Sequence, residues 1–481
     1  MQKKFLALSF IEGAAVMAAE LCGAKLLAPI YGSSLYVWAS VLGITLVALA
    51  GGYFFGGLIT EKSKLHNRNL FFILIAASLF IILMPVISHY LVPRISYMSF
   101  LPAVVVSTFT LLFFPVFFLG ATSPLFIILQ TDETNTAGRV SGTVYAVSTV
   151  GGIFATFFCG FYLIPETGLN VTLLSFGILL FIGSILVFKI FRATQFLLPA
   201  AFLYLNLQFT FKPSSDLMVS DSILGHLQVQ DVADINGDSV RILKINNIIQ
   251  TEMNLKSKKS VSGYISLLDS LIAKQTTPSK ALVLGLGGGL TANLLVEKNY
   301  NVTGVEFDER IIKASEKYFF LNNSVVSLCE DARYYLNHCE QKFDLVLVDV
   351  FKAEEQPSHV LTSESLERLK INLNDSAVVY INWHGYTNPS LGQGTAILYN
   401  TLKNAGFKVQ LTAFSDNEDY RNVIFVCSLT NVNFVKENFG IDDKLMETSM
   451  VNSDNNPLLE KYNAKANKVW RKNYLRFYQN Q

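Results

Sequence analysis

Acidic side chains and a run of glycines stand where several apolar strands of this chain are predicted to end. The run 281–289 reads Ala-Leu-Val-Leu-Gly-Leu-Gly-Gly-Gly, and Glu306, Asp331 and Asp349 end or follow the next three apolar segments. Glycines after a strand let the backbone approach a ligand, and an acidic residue about 20 positions later can accept from both ribose hydroxyls. This order predicts a nucleoside pocket, with Asp331 placed to accept from the exocyclic amine of a purine.

Each of these residues also has a structural interpretation. Glycine-rich turns occur as plain connections, Glu306 could be a solvated carboxylate, and Asp331 could cap a helix even while it binds a ligand. Asp349 differs, because an apolar run leads straight to a carboxylate at the mouth of the predicted sheet, where a structural role is hard to find. We therefore expect chemistry first at Asp349.

The elements that must position these groups follow from the apolar patterns. The predicted strands are 281–285, 302–306, 325–329, 343–349, 376–382, 407–414 and 421–428, and the predicted helices are 290–298, 309–319, 331–337 and 362–372. This alternation indicates an α/β domain with a doubly wound, mostly parallel Rossmann-like sheet, which binds ligands at the carboxyl ends of its strands. Ahead of it, 223–230 and 240–249 alternate like a β-hairpin around Asn236-Gly237-Asp238, and a helix is predicted near 260–274.

The first 210 residues have a different composition. They carry 16 charged side chains, whereas the remaining 271 residues carry 59. Six apolar stretches are long enough to cross a bilayer, at 5–28, 36–58, 70–92, 101–129, 142–163 and 170–191, and a shorter seventh lies at 196–211. The sequence thus predicts an α-helical transmembrane bundle of six or seven spans, the fourth kinked around Pro115 and Pro124.

Basic residues in the short loops predict the orientation of the bundle. If six helices cross the membrane in alternating directions, one side of the membrane carries Lys3 and Lys4, the loop at 62–68 and the Lys189/Arg192 pair. The expected location of the bundle is a bacterial inner membrane, and the soluble half would then face the cytoplasm. A true seventh span would place the soluble half outside. The expected domains are the bundle (1–211), a hairpin and helix region (212–278), the adenosyl-binding domain (279–435) and a C-terminal helical tail (436–481).

Composition argues against several other classes of protein. The half after residue 210 carries 28 basic and 31 acidic side chains, so it shows no electrostatic footprint for nucleic acid. The five cysteines show no CxxC pair and no histidine spacing suited to zinc, so we expect no metal.

Three further ionisable residues leave more than one interpretation open. Glu12 and Glu20 lie broadly on one side of the first predicted helix. They could form a substrate or proton path, form a structural intramembrane pair with Lys25 as a partner, or lie at the membrane interface. His384 could line the cleft or be an ordinary loop residue.

The chain also resembles a known family. The run 281–349 is similar to the adenosyl-binding core shared by class I AdoMet-dependent methyltransferases and the spermidine synthases. Ile-Asn-Asn-Ile-Ile-Gln at 245–250, followed by Tyr264, resembles the Leu-Asp-Gly-x-x-Gln and tyrosine of the spermidine synthases. In the first half, parts of 28–38, 119–124 and 138–151 resemble the span bundle that is fused to spermidine-synthase-like domains in bacteria.

The resemblance implies an adenosyl co-substrate, either decarboxylated AdoMet or AdoMet, and a small amine or polyamine acceptor. A lipid bilayer is the other expected partner, and a homodimer is left open. The residues expected to bind the co-substrate are Gln250, Gly285, Gly287, Gly289, Glu306, Asp308, Asp331, Ala332 and Asp349. Asp349 is also the expected catalytic residue, and Tyr264, Glu354 and Glu355 are expected to contact the acceptor.

The sequence departs from the family pattern at the positions that bind the amines of the donor and the acceptor in the family. Gly288 stands where the family has an aspartate that holds the aminopropyl amine of the donor, and Lys352 stands at the position of the family's catalytic base. The acidic pair before Tyr264 and the His-Glu after it are also replaced. Glu354 or Glu355 could supply the missing base, although a mobile loop glutamate is more often simply solvated.

Three functions therefore remain open from the sequence. The first is a membrane-integrated, spermidine-synthase-like transferase that moves an aminopropyl group to an amine, and the second is an AdoMet-dependent methyltransferase with the same pocket. The third is a non-catalytic sensor or transporter that binds an adenosyl ligand or a polyamine. Loss of the family's aspartate at Gly288 gives weight to the second function.

Overall fold

The computed structural model describes most of the 481 residues, namely 2–31, 35–96, 98, 100–131, 134–189, 200–201, 203–204, 216–222, 224–233, 237–351, 357–430 and 448–479. Most of the predicted seventh apolar stretch, 196–211, lies outside these residues, as do Lys352, Glu354 and Glu355. The chain divides into two compact units, Met1–Ser215 with Val219–Leu227 and Asp216–Met218 with Gln228–Gln481.

The first unit is helical. Its α-helices are α1 (Lys3–Tyr31), α2 (Leu35–Lys62), α3 (His66–Tyr90), α4 (Val92–Ile95), α5 (Phe100–Thr108), α6 (Phe114–Gln130), α7 (Ala137–Phe158) and α8 (Ile164–Phe188). Among the described residues, five helical segments are long and apolar enough to cross a membrane: Lys3–Tyr31, Tyr36–Lys62, His66–Tyr90, Leu101–Gln130 and Ala137–Phe188. The apolar N-terminal helices are thus confirmed.

Two π-helical turns interrupt the longest apolar segments. The first, Phe109–Phe113, joins α5 to α6 and ends two residues before Pro115. The second, Cys159–Leu163, joins α7 to α8 and ends two residues before Pro165. A proline has no amide hydrogen to donate, and a wider turn relieves its clash with the preceding turn. At Gly168, with φ 82° and ψ 170°, the backbone leaves helical geometry within the 52-residue segment Ala137–Phe188.

Backbone contact between helices holds the first unit together. Helix α1 packs against α7 and α8, α2 packs against α6, and α3 packs against α6 and α8. A Cβ atom on Gly151 of α7 would lie 2.1 Å from the carbonyl oxygen of Phe10. Small residues allow such close approach where dispersion, rather than water exclusion, provides the attraction between helices.

A sheet of strands follows the helices along the chain. Strands β1 (Met218–Ser222), β2 (Gly225–Ala233), β3 (Ser239–Ile245) and β4 (Ile248–Asn254) form a sheet in chain order. The predicted strand 240–249 is wrong, because the chain reverses inside it. Asn246 and Asn247, with φ values of 50° and 65°, form the two-residue turn between β3 and β4, which pair antiparallel.

An α/β domain follows. Its strands are β5 (Ser279–Leu284), β6 (Tyr300–Glu306), β7 (Val326–Cys329), β8 (Phe343–Val348), β9 (Leu373–Trp383), β10 (Lys408–Ala413) and β11 (Val423–Ser428). Its helices are α9 (Gly263–Leu271), α10 (Leu290–Glu297), α11 (Glu309–Tyr318), α12 (Ala332–His338), α13 (Ser363–Ile371), α14 (Gln393–Asn404) and α15 (Leu459–Gln479).

The seven strands form one sheet in the order β10-β11-β9-β8-β5-β6-β7. Strands β5 to β9 pair parallel, and β11 pairs antiparallel with both β9 and β10. Leu282 and Leu284 of β5 pack into one apolar cluster, while Ala281 and Val283 pack into another. Because successive side chains of a strand point to opposite faces, the sheet is covered on both faces. The predicted mostly parallel, Rossmann-like sheet is confirmed.

We predict that Gly151→Ala destabilises the first unit, whereas Gly142→Ala does not. Both glycines lie in α7, and alanine is the better helix former by about 1 kcal/mol at either position. A Cβ at Gly142 meets nothing within 4 Å, but at Gly151 it must push α1 and α7 apart, at a cost of about 1–3 kcal/mol. Thermal unfolding of the full-length protein in detergent measures the difference. Equal melting temperatures for the two variants would contradict close packing at Gly151.

Candidate functional site

The glycine-rich turn connects β5 to α10. Gly285, Gly287 and Gly289 have positive φ values of 87°, 52° and 76°. A Cβ on Gly285 would lie 2.2 Å from the carbonyl oxygen of Asp349. Glycine is therefore required at 285 both by the backbone conformation and by the close approach of the end of β8.

Glu306 ends β6 and lies beneath this turn. Its carboxylate is 9% exposed and accepts hydrogen bonds from the backbone amides of Leu286 (3.1 Å) and Asp308 (3.0 Å). Burial raises the pKa of the Glu306 carboxyl, and these backbone amides oppose the rise. Glu306 is thus not a solvated strand-end carboxylate. It orients the turn, and its oxygens keep further lone pairs for a ligand.

The next two acidic residues cap helices. Asp308 accepts from the backbone amide of Arg310 at the start of α11 and pairs with the guanidinium of Arg310 at 2.6 Å. Asp331 accepts from the backbone amide of Tyr334 at 3.0 Å and lies 3.3 Å from Nε2 of His359. Ala332, the first residue of α12, is buried. The prediction that Asp331 caps a helix is therefore correct. The carboxylate of Asp308, which the sequence suggested would bind the co-substrate, pairs with Arg310 instead.

Asp349 directly follows β8 and is held by two neutral donors. The Tyr264 hydroxyl of α9 donates to Oδ2 at 3.0 Å, and Nδ2 of Asn382 donates to Oδ1 at 2.7 Å. Asn422 in turn donates to Oδ1 of Asn382 at 2.7 Å. Burial raises the pKa of Asp349 to about 6, while the hydrogen bonds from Asn382 and Tyr264 oppose this rise.

A cavity of about 370 Å³ opens at Asp349. It brings together Gln250, Tyr264 and Asp349, three of the residues expected from the sequence. Its acidic lining residues are Glu252, Asp349 and Asp419, and no lysine or arginine is among the described residues that line it. Its aromatic residues are Tyr264, Phe351, Phe414, Tyr420, Trp470 and Tyr474. Acidic groups and aromatic faces together suit a cationic ligand.

His384 lines this cavity. This is one of the two positions that the sequence left open for it, the other being an ordinary loop. Its ring centroid lies 4.9 Å from that of Phe351 and 4.4 Å from that of Trp470. Burial lowers the pKa of His384 to about 4. The imidazole is therefore uncharged at neutral pH and adds no positive charge to the cavity.

Sequence reasoning missed Thr251. Its hydroxyl oxygen accepts from the backbone amide of Gly288 at 2.8 Å, and a Cβ on Gly288 would lie 2.5 Å from Cγ2 of Thr251. Thr251 thus occupies the space that a side chain at 288 would need. Its place directly after Gln250 in the recognised motif was the available signal.

The C-terminal helix contributes to the site although its sequence is rich in basic residues. The basic stretch 461–476 reads as a solvated helix face, yet Trp470 and Tyr474 of α15 line the cavity. The hydroxyl of Tyr474 accepts from the backbone amide of Ile249, one residue before Gln250. Contacts separated by more than 200 residues leave no local pattern in a single sequence.

Comparison with known proteins confirms the resemblance. Residues 265–388 match the model of the spermine/spermidine synthase domain. A polyamine aminopropyltransferase of Vibrio vulnificus is 33% identical over 134 residues, which are 26% of this chain and 45% of the relative. A probable polyamine aminopropyl transferase of Bifidobacterium longum is 26% identical over 178 residues, 36% of this chain and 38% of the relative.

Two further relatives extend the comparison. An N-terminal histidine N-methyltransferase of Emericella nidulans is 29% identical over 166 residues, 33% of this chain and 29% of the relative. A probable spermidine synthase structure from Corynebacterium glutamicum aligns with a TM-score of 0.41 and 16% identity, over 50% of this chain and 97% of that one. The chain spans less than half the length of these three curated relatives. Residues 265–388 of the second unit are thus similar to the spermine/spermidine synthase domain.

We predict that the site binds cations best above about pH 6. The ordinary pKa of an aspartate is 3.8, so between that value and about 6 the folded protein holds a proton that the unfolded chain has lost. In this window, the contribution of Asp349 to stability falls as the pH rises, while its affinity for a cation grows. Calorimetric titration with putrescine across pH 5–8 should show the affinity rising through about pH 6.

The midpoint is the pH at which the affinity for putrescine has risen halfway, and two variants test which group sets it. Tyr264→Phe removes a hydrogen bond that favours the carboxylate, so the midpoint should move upward by about one pH unit. Tyr474→Phe, in the same cavity but bonded to Ile249, should leave the midpoint in place. An affinity that is flat across this range, or equal midpoint shifts in both variants, would show that Asp349 is not the titrating group.

Proposed function

We propose that the second unit transfers an aminopropyl group from decarboxylated AdoMet to an amine acceptor. The observation that carries this proposal is the cavity at Asp349, whose described lining has three carboxylates and neither lysine nor arginine. An amine acceptor is cationic in water, and such a lining attracts it. The spermidine synthase domain match over 265–388 and the relatives named polyamine aminopropyltransferase support the same chemistry.

The proposed donor site lies beside this cavity. As the resemblance implies, the nucleoside would be held by Gln250, the glycine turn at 285–289, Glu306, Asp331 and Ala332. Glu306 is already fixed by backbone amides, so it presents a preorganised acceptor toward the ribose hydroxyls. Asp308, whose carboxylate engages Arg310, would act through the position of α11 rather than by direct contact.

The reaction is a nucleophilic substitution. The acceptor nitrogen would attack the carbon attached to the sulfonium, the carbon–sulfur bond would break, and methylthioadenosine would leave with the electron pair. The attacking amine must first lose a proton to water or to a general base. Asp349 is the candidate catalytic residue that would orient the amine and stabilise the positive charge that develops on nitrogen as the new bond forms. Roles for Lys352, Glu354 and Glu355 remain predictions from sequence, because these residues lie outside the described chain.

Methyl transfer from AdoMet is the second candidate function. It is favoured by the contact between Thr251 and Gly288, which fills the place where the family has an aspartate for the aminopropyl amine of the donor. Without that carboxylate, the site loses a group that prefers decarboxylated AdoMet. A relative named N-terminal histidine N-methyltransferase is consistent with this alternative.

We predict that the full-length protein in nanodiscs converts putrescine to an aminopropyl product with decarboxylated AdoMet. Mass spectrometry of parallel reactions with AdoMet distinguishes the two candidate functions, because the transferred groups differ in mass. Asp349→Asn should lower kcat/KM for transfer by about tenfold to a hundredfold, since one charge-assisted interaction is lost. Methylated product alone would replace the first candidate with the second, and absence of both products would favour a binding role.

A double variant tests donor choice. Gly288→Asp alone should destabilise the domain, because its Cβ meets Thr251 at 2.5 Å. Combined with Thr251→Ala, which removes the obstructing Cγ2 atom, it should shift preference toward decarboxylated AdoMet. Thr251→Ala alone is the matched control for loss of the hydroxyl.

We further propose that the first unit is a six-span bundle in a bacterial inner membrane, with the second unit in the cytoplasm. The segment Ala137–Phe188 has 52 residues, whereas about 20 suffice for one span, and its break at Gly168 lies between the predicted fifth and sixth spans. AdoMet-type donors are made in the cytoplasm. We also propose that the chain is divided into the domains 1–211, 212–278, 279–435 and 436–481. Assembly of two copies of the chain into a homodimer is likewise a proposal.

We predict that Cys329, which is exposed in the second unit, is protected from a membrane-impermeant maleimide in intact spheroplasts. Labelling should appear after permeabilisation, because the cytoplasm then becomes accessible. Cys329→Ser identifies the labelled site, and the buried Cys427 should stay unreactive in the folded protein. Strong labelling before permeabilisation would place the second unit outside and would indicate an odd number of spans.

A further inference from the structure

Glu12 is a buried carboxylate in the first half of α1. It lies nine residues after Lys3, which is about 14 Å along a helix and therefore close to the centre of a hydrocarbon core about 30 Å thick. The residue is 3% exposed. This placement rests on the proposed membrane position of the first unit and is independent of the proposed transferase reaction.

The partner of Glu12 is neutral. The Ser148 hydroxyl of α7 donates to Oε2 of Glu12 at 2.9 Å, and among the described residues Ser148 is its only hydrogen-bond partner. No ion pair joins Glu12 to a lysine, arginine or histidine in the described part of the bundle, although the sequence suggested Lys25. Lys25 lies 13 residues further along α1, about 20 Å away, with its ammonium 6.0 Å from the ring of Trp38.

Close packing fixes this pair in place. A Cβ on Gly13, the neighbour of Glu12, would lie 1.9 Å from the carbonyl oxygen of Ser148, so the two backbones are in direct contact. Among the described residues of neighbouring helices, Tyr53 of α2 interacts electrostatically with Glu12, and its ring meets that of Tyr145 of α7 edge to face with centroids 6.4 Å apart. Neither tyrosine can supply a positive charge.

An ionised carboxylate without a cation is costly at such depth, which favours the protonated group or a bound cation. We propose that Glu12 is a proton-exchanging site of the membrane bundle, with Ser148 as the donor that stabilises the carboxylate when the proton leaves. The bundle then performs proton-linked work in addition to anchoring the second unit. The geometry suits a proton rather than a hydrated ion, because helix backbone packs directly beside the carboxylate.

A hydrophobic carbodiimide tests the proposal, because it adds across protonated carboxyl groups in apolar surroundings. The full-length protein in nanodiscs should be labelled at Glu12 by dicyclohexylcarbodiimide at neutral pH, with labelling falling as the pH rises. A water-soluble carbodiimide should leave Glu12 unmodified. Peptide mass spectrometry locates the adduct, and Glu12→Gln, which is nearly isosteric, should abolish it.

Two serine variants separate the specific hydrogen bond from packing. Ser148→Ala removes the donor that favours the carboxylate, so labelling should persist to a pH about one unit higher. Ser9→Ala is the matched control, since Ser9 lies at the same α1–α7 contact but donates to the carbonyl oxygen of Val144. Size-exclusion profiles confirm that each variant is folded.

Several outcomes would overturn the assignment. Absence of a Glu12 adduct at every pH, or labelling that does not depend on pH, would show that Glu12 exchanges no proton. Protection by sodium or potassium at constant pH would identify a metal cation instead of a proton. Labelling by the water-soluble reagent would show that Glu12 faces water, which contradicts the membrane placement and leaves the transferase proposal untouched.

Discussion

The contact between Gly285 and the backbone of Asp349 is the constraint on which the site depends. The end of β5 and the end of β8 approach so closely that any side chain at 285 would overlap the carbonyl of Asp349. The amide of Asp349 donates to the carbonyl of Leu284, and the amide of Gly285 donates to that of Val305. Three neighbouring strands are thereby joined where they end, so the glycine turn, Glu306 and Asp349 have fixed mutual positions.

Buried carboxylates in this protein are stabilised in different ways. Glu306 is satisfied by backbone amides, Asp349 by the side chains of Tyr264 and Asn382, and Glu12 by the hydroxyl of Ser148. Backbone amides belong to a turn that the fold requires, so they hold Glu306 permanently. Side-chain donors can change partners when a ligand arrives, which suits the roles proposed for Asp349 and Glu12.

The sequence predicted the parallel strands well because their signals are local. Apolar runs ending in glycine or a carboxylate placed β5, β6, β7 and β8 to within two residues at each end. The same local reasoning failed at 240–249, where Asn246 and Asn247 interrupt an apolar alternation and reverse the chain. A pair of asparagines tolerates positive φ, so this turn was readable, but the apolar residues on either side concealed it.

The rest of the site could not be predicted, because it depends on contacts between distant segments. Asn382 is the last polar residue of a buried strand, and only the pairing of β8 with β9 and the position of α9 bring it to Asp349 opposite Tyr264. Trp470 and Tyr474 come from a helix that reads as basic and solvated, yet its aromatic face closes the cavity. Thr251 shows the same limit at short range. The motif that contains Gln250 indicated the donor site. Only the fold shows that Thr251, the next residue, fills the space where the family has an aspartate side chain. The replacement of that aspartate by Gly288 therefore bears on which donor is used.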